Sequence, residues 1–261
     1  MDKIIKAFRN KKLLITYLTA GDTSLAQTEK YVLTMAKSGA DIIEIGIPFS
    51  DPVAEGVIIQ NAMQRALSKN ITMDDIFGTV ANIRKQTDVP LIFMTYLNPL
   101  FFYGYEKFFK KCKENSINGI IVPDMPFEEW DEIKEYANKY AITIVTLVAP
   151  TSKDRISFLV KNAQGFIYLV SSLGVTGIRS ELGSGVNRTI CEIKKNSDIP
   201  IAVGFGISTL EQVGTISKLA DGVIVGSAIV KIISENNSGT EKKLSDYILS
   251  MRKALANLQN S

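Results

Sequence analysis

The sequence predicts an α/β fold, a single-domain (β/α)8 barrel of the TIM type with a short N-terminal helix. Three observations predict it. Eight runs rich in Ile, Val and Leu recur along the chain, and segments with apolar residues at three- and four-residue spacing lie between them. A chain of 261 residues is also the size of eight strand–helix units. Alternating strand and helix implies parallel strands joined by right-handed crossovers. An open doubly wound sheet is the structural rival, but no G-x-G-x-x-G follows the first strand. No linker, repeat or low-complexity segment divides the chain, so one domain is expected over 1–261.

The elements follow in order. MDKIIKAFRN (1–10) reads as an amphipathic helix rather than a signal peptide. LLITYLT (13–19) is the first strand, and a helix is expected over Thr28–Ser38. DIIEIGI (41–47) is the second strand, followed by a long connection and a helix over Met73–Gln86. PLIFMTY (90–96) and GIIVPDM (119–125) are the third and fourth, with a basic, apolar-backed helix face at 107–113 between them. Next come a helix over Phe127–Tyr140, the strand ITIVTLV (142–148) and a helix over Lys153–Asn162. The strand GFIYLVS (165–171), a helix over Ser184–Asn196 and the strand PIAVGFG (200–206) continue the alternation. A helix over Leu210–Leu219, the strand GVIVGSAIV (222–230), a polar loop at 234–243 and a last helix ending near Ala256 complete it. Two connections, 50–60 and 172–185, exceed what a turn needs and follow strand C-termini, where barrels build their sites, so both are expected to be lid loops.

Composition narrows the function. The net charge of +3 comes from 30 basic and 27 acidic residues spread evenly, too balanced for a nucleic-acid footprint. Cys112 and Cys191 lie far apart and outside metal spacings, which suits a reducing compartment. No apolar run approaches the roughly 18 residues needed to span a bilayer, so no membrane association and a cytoplasmic location are expected. The chain has no histidine. That excludes Ser-His and Cys-His pairs and the usual zinc ligands, leaving proton transfer to carboxylates, tyrosines, lysines or water.

Within DIIEIGI, Glu44 interrupts a run of isoleucines that reads as a strand covered on both faces, where an ionised group is costly without a partner. No predicted strand carries a lysine or arginine to neutralise it. Glu55, on the following connection, can reach the same barrel mouth, and two carboxyls in differing environments can divide acid and base roles. The structural alternative is a buried ion pair for Glu44 and a solvated loop position for Glu55. Gly204-Phe205-Gly206 ends the seventh strand and Gly226-Ser227 the eighth, the usual place for a phosphate held by backbone N–H groups, with Gly174 and Gly177 as a further wall. These glycines could equally serve only tight turns. Tyr96, Asn98, Tyr168 and Phe205 suit a flat ring as substrate, although aromatic residues near strand ends also pack cores.

Together the motifs YLTAGD (17–22), GADIIEIGIPFSDPVAEGVIIQ (39–60), MTYLNP (94–99), VPDMP (122–126), GFIYLVSSLGVTGIRSELGSGV (165–186), VGFGIS (203–208) and DGVIVGSAIV (221–230) resemble the α-subunit of tryptophan synthase over essentially the whole chain. The resemblance implies a (β/α)8 barrel that splits indole-3-glycerol phosphate, a small phosphate substrate, into indole and glyceraldehyde 3-phosphate. It implies no cofactor in this chain, and a pyridoxal-phosphate β-subunit as partner in an α2β2 complex. It puts the general acid on Glu44 and the carboxylate that stabilises charge at the indole N–H on Glu55. It also puts Tyr17, Tyr96, Tyr168 and Thr176 at the substrate, Gly177, Phe205, Gly206, Gly226 and Ser227 at the phosphate, and Pro48, Asp51, Asn98 and Asp124 toward the partner. Where most members have Asp-Gly-Pro, this chain has Glu55-Gly56-Val57. The extra methylene matters because a displacement of about 1 Å can cost on the order of 100-fold in rate. Two other readings share these residues: a stand-alone indole-releasing lyase, and a weakly catalytic allosteric partner of the β-subunit. A sugar-phosphate aldolase of the Schiff-base kind would need a strand lysine, which no predicted strand supplies.

Overall fold

The computed structural model describes residues 3–9, 11–149, 152, 155–171, 182–204 and 206–256. Among these, eight parallel strands close into a barrel in sequence order, the last pairing with the first. They are β1 (Leu13–Thr19), β2 (Ile42–Gly46), β3 (Leu91–Met94), β4 (Gly119–Ile121), β5 (Thr143–Val148), β6 (Gln164–Val170), β7 (Ile201–Gly204) and β8 (Gly222–Val225). The helices α1 (Lys3–Ala7), α2 (Leu25–Lys37), α3 (Val57–Leu67), α4 (Met73–Arg84), α5 (Leu97–Tyr103) and α6 (Tyr105–Glu114) belong to the first half. In the second half α7 (Asp131–Tyr140) follows a 3-10 turn at Phe127–Glu129, then come α8 (Ile156–Lys161), α9 (Leu182–Asn196), α10 (Leu210–Ser217), α11 (Ser227–Ser234) and α12 (Thr240–Ala256).

Strand alternation sorts the core into two layers. Leu13, Ile15, Ile42, Ile92, Ile121, Phe166 and Ile224 pack inside the barrel, while their chain neighbours Leu14, Ile43, Leu91 and Phe93 pack outward against the helices. Helix α1 stoppers the N-terminal end: Ile4 joins the interior layer and the Phe8 ring lies 5.5 Å from that of Phe166. On the second strand Ile42 points in and Ile43 and Ile45 point out, so the two-residue period turns Glu44 inward.

Three segments differ from the sequence expectation. The run 222–230 is a strand only to Val225, and Ser227 starts α11, because Ile229, Val230 and Ile233 bury at helical spacing once Gly226 turns the chain. The connection 50–60 is irregular only to Gly56, and Val57 opens α3, which buries Ile59, Ala62, Met63 and Ala66. In the segment 172–185, residues 172–181 lie outside the described residues and Leu182 already begins α9.

Two inward glycines make room for rings. A Cβ on Gly46 would sit 2.1 Å from the Tyr17 hydroxyl oxygen, and one on Gly204 would sit 2.6 Å from that of Tyr168. Both tyrosines are buried in the barrel interior, so neither ring can swing to solvent. Gly46→Ala is therefore expected to destabilise the fold by about 1–3 kcal/mol, the usual cost of overpacking. In urea unfolding, Tyr17→Ala should remove most of that added cost; equal loss in both backgrounds would disprove the packing account.

Candidate active site

Glu44 lies opposite Tyr17 on β1 and Ile92 on β3, inside the C-terminal half of the barrel. It is fully buried, and neither carboxyl oxygen has a hydrogen-bond partner among the described residues. Removal from water is the main reason its pKa stands well above the ordinary carboxylate range, and the nearby Glu55 adds to the rise. An unpaired ionised carboxylate there would cost several kcal/mol, so burial favours the protonated form of Glu44.

Glu55 reaches the same space from the loop between β2 and α3. It is 7% exposed, its Oε1 has no partner among the described residues, and burial pushes its pKa up to about 7. The main chain around it is tied down on both sides. Ala54 N–H donates to the Tyr96 hydroxyl at 3.2 Å, and Gln60 Nε2 donates to the Glu55 carbonyl at 2.8 Å. Two carboxyls of one cavity thus sit in differing environments, both raised by burial and Glu44 raised further by Glu55, the condition under which one can donate a proton while the other carries charge.

The cavity they share is lined by Tyr17, Glu44, Glu55, Ile59, Met94, Tyr168, Gly206, Ile224, Gly226 and Ser227. Its volume is about 30 Å3, room for a single water, so a ring-sized ligand enters only as the surrounding groups move apart. The tyrosines are not proton donors of matching strength. Burial, and secondarily the neighbouring Glu55, raises the Tyr17 pKa well above its ordinary value; for Tyr168 the order is burial, then Glu44. Tyr17 shares a hydrogen bond of 3.2 Å with Thr19 Oγ1. At the mouth, Gly226 and Ser227 begin α11, whose first N–H groups have no helical partner and suit an anion, and exposed Gly206 stands beside them with φ of 80°.

The structure brings Glu44, Glu55, Tyr17, Tyr168, Gly206, Gly226 and Ser227 to one cavity. Tyr96 is not among its lining residues; the ring stands behind the Glu55 loop, stacked on Phe49 at 5.2 Å. Thr176, Gly177 and Phe205 fall outside the described residues, as does Gly174. Pro48, Asp51, Asn98 and Asp124 stand away from the cavity on the segments after β2, β3 and β4. Ile59, Met94 and Ile224 were missed as lining. Ile224 could have been found, because it sits two residues before Gly226 on the inward face of β8, whereas Ile59 required knowing that the 50–60 segment turns into α3. Among the described residues no group of His, Cys, Asp or Glu could hold a metal ion, and no helix is long and apolar enough to cross a membrane.

Known proteins resemble this chain along nearly their whole length. The family model described as tryptophan synthase alpha chain matches residues 5–259. A tryptophan synthase alpha chain of Lacticaseibacillus casei is 44% identical over 255 residues, covering 98% of this chain and 96% of the relative. That of Thermoanaerobacter sp. (strain X514) is 41% identical, covering 98% of this chain and all of the relative. Among solved structures, tryptophan synthase subunit alpha of Legionella pneumophila superposes with a TM-score of 0.89 at 37% identity, covering 98% of this chain and 99% of that one. A chain of tryptophan synthase from M. tuberculosis, in an aminoacrylate-bound form, superposes with a TM-score of 0.87 at 28% identity, covering 98% of this chain and all of that one. With the barrel, the paired carboxyls and the glycine mouth in place, full-length matches of this strength show that the chain belongs to the tryptophan synthase alpha chain family.

Proposed function

We propose that Glu44 and Glu55 divide between them the chemistry of this family, in which a carbon–carbon lyase cleaves indole-3-glycerol phosphate to indole and glyceraldehyde 3-phosphate in tryptophan biosynthesis. The observation that carries the reading is the pair of buried carboxyls facing one cavity, with both oxygens of Glu44 and Oε1 of Glu55 lacking a hydrogen-bond partner among the described residues. Neutral Glu44 gives its proton to C3 of the indole ring. The resulting cationic ring accepts the electron pair of the breaking C–C bond, and the side-chain hydroxyl becomes the aldehyde as its proton passes back to the Glu44 carboxylate. The retro-aldol step then balances, with one proton given and one returned. Glu55, ionised, faces the positive charge that develops at the indole N–H.

Gly206, Gly226 and Ser227 take the phosphate on backbone N–H groups, with Gly177 and Phe205 completing the cradle and Thr176 at the substrate. Tyr17 and Tyr168 wall the ring. None of these roles calls for a cofactor in this chain; pyridoxal phosphate belongs to the partner. A β-subunit is that partner, and the proposed assembly is α2β2. The surface carrying Pro48, Asp51, Asn98 and Asp124 supports it, because adjacent segments of the same rim also expose Val53, Phe101 and Phe102 at 78%, 66% and 82%. Exposed large apolar groups clustered in this way mark a docking surface. The test is indole release from indole-3-glycerol phosphate by the purified chain, alone and with a β-subunit. Release is expected in both cases and faster with β. No release in either defeats the lyase reading, and a rate indifferent to β favours a stand-alone enzyme.

A further inference from the structure

We infer that the Tyr96 hydroxyl is a positioning group for Glu55, holding the loop that carries this carboxylate rather than touching the substrate. The inference rests on the proposed role of Glu55. Tyr96 is 1% exposed and caps the start of α5, with its ring and its neighbouring backbone each held. On one side Phe49 stacks on it at 5.2 Å and 29°. On the other, both carboxylate oxygens of Asp124 accept the N–H of the next residue, Leu97, at 3.0 and 3.2 Å. From this rigid mount the hydroxyl accepts the Ala54 N–H at 3.2 Å, one residue before Glu55. Gln60 grips the Glu55 carbonyl from the other side.

The two clasps bracket a single residue. Without them the loop's backbone could pivot about Glu55, and a carboxylate that must face a developing charge tolerates little displacement. Tyr96 does not line the cavity, so its hydroxyl acts on the reaction through Glu55, by holding the Ala54 N–H and by standing near the carboxylate itself. The network also joins Asp124, on the expected partner-facing rim, to the reaction centre in three links: Asp124 to the Leu97 N–H, along the chain to Tyr96, and across to Ala54.

Tyr96→Phe tests this, because phenylalanine keeps the stack on Phe49 and removes only the acceptor. In the complex with a β-subunit, kcat for indole release should fall about 10- to 100-fold while KM changes less than about twofold, the signature of a misplaced catalytic group. In a Glu55→Gln background the same change should cost less than about twofold, since there is no carboxylate left to position. An unchanged kcat in Tyr96→Phe, or a loss of the same factor in both backgrounds, overturns the inference. Should the unmodified complex release no indole, the lyase reading itself fails. If Glu55→Gln behaves like the unmodified enzyme, the role of Glu55 fails and the inference with it. Urea midpoints of the variants, expected to match their parents closely, separate lost positioning from lost folding.

Discussion

Replacing Glu44 by glutamine is expected to remove indole release almost entirely while leaving the barrel folded. Glutamine has nearly the same shape but has no proton of suitable acidity, and general acid–base groups contribute about 100- to 10,000-fold. The loss should appear in kcat, with KM little changed, because the acid acts on the transition state more than on the bound substrate. The variant should also be more stable above the ordinary carboxylate range. Folding raises the Glu44 pKa, so the native state holds a proton that the unfolded chain releases, and stability falls as pH rises from the unfolded value toward the folded one. Glutamine has no such dependence. Retained activity in Glu44→Gln would move the proton transfer to another group and leave the buried acid unexplained.

The Glu55→Gln variant should trade activity for stability in a way that can be timed by pH. The folded pKa of about 7 lies above the ordinary 4.5, so unfolding releases a proton between these values. Stability contributed by the protonated form is complete below about pH 4.5, declines through the window and is lost above about pH 7. At one pKa unit per roughly 1.4 kcal/mol, the full penalty is about 3 kcal/mol. In urea unfolding the glutamine variant should therefore gain most over the unmodified chain at pH 8 and much less at pH 5. A constant gap between the two pH values would place the effect elsewhere. Activity should fall on the order of 100-fold, as when one preorganised electrostatic partner is removed. The rise of kcat/KM through pH 7 that ionised Glu55 gives the unmodified enzyme should flatten in the variant.

The first of these expectations follows from one feature, a carboxyl inside an apolar strand, and that feature is legible in the sequence. The strand positions were readable because Ile, Val and Leu runs are short and regularly spaced. The barrel then followed from their parallel connection. Glu44 stood out against its isoleucine neighbours, and two-residue alternation alone turns it inward. What was not legible came from tertiary context. The end of the eighth strand was overrun because Ala228, Ile229 and Val230 have strand-like composition, yet Gly226 turns the chain and these residues bury one side of a helix. The helix α3 was hidden in a segment whose Gly, Pro and Ser content reads as a loop, and with it went Ile59 as a wall of the cavity. Tyr96 was readable as an aromatic residue near a strand end, but not as a hydroxyl reaching the backbone beside Glu55, because its partner lies 42 residues away in sequence.

The price of keeping Glu44 is an unpartnered carboxyl in the barrel, and the account requires that it be protonated when the enzyme works. The direct measurement is the infrared carbonyl band of a protonated carboxylic acid in the folded protein at pH 8, compared with Glu44→Gln and Glu55→Gln. The account predicts a buried-acid band that disappears in Glu44→Gln and persists in Glu55→Gln, because Glu55 is already largely ionised at pH 8 in the unmodified protein. Absence of that band from the unmodified protein at pH 8 would mean that Glu44 is a carboxylate and cannot supply the proton to the indole ring.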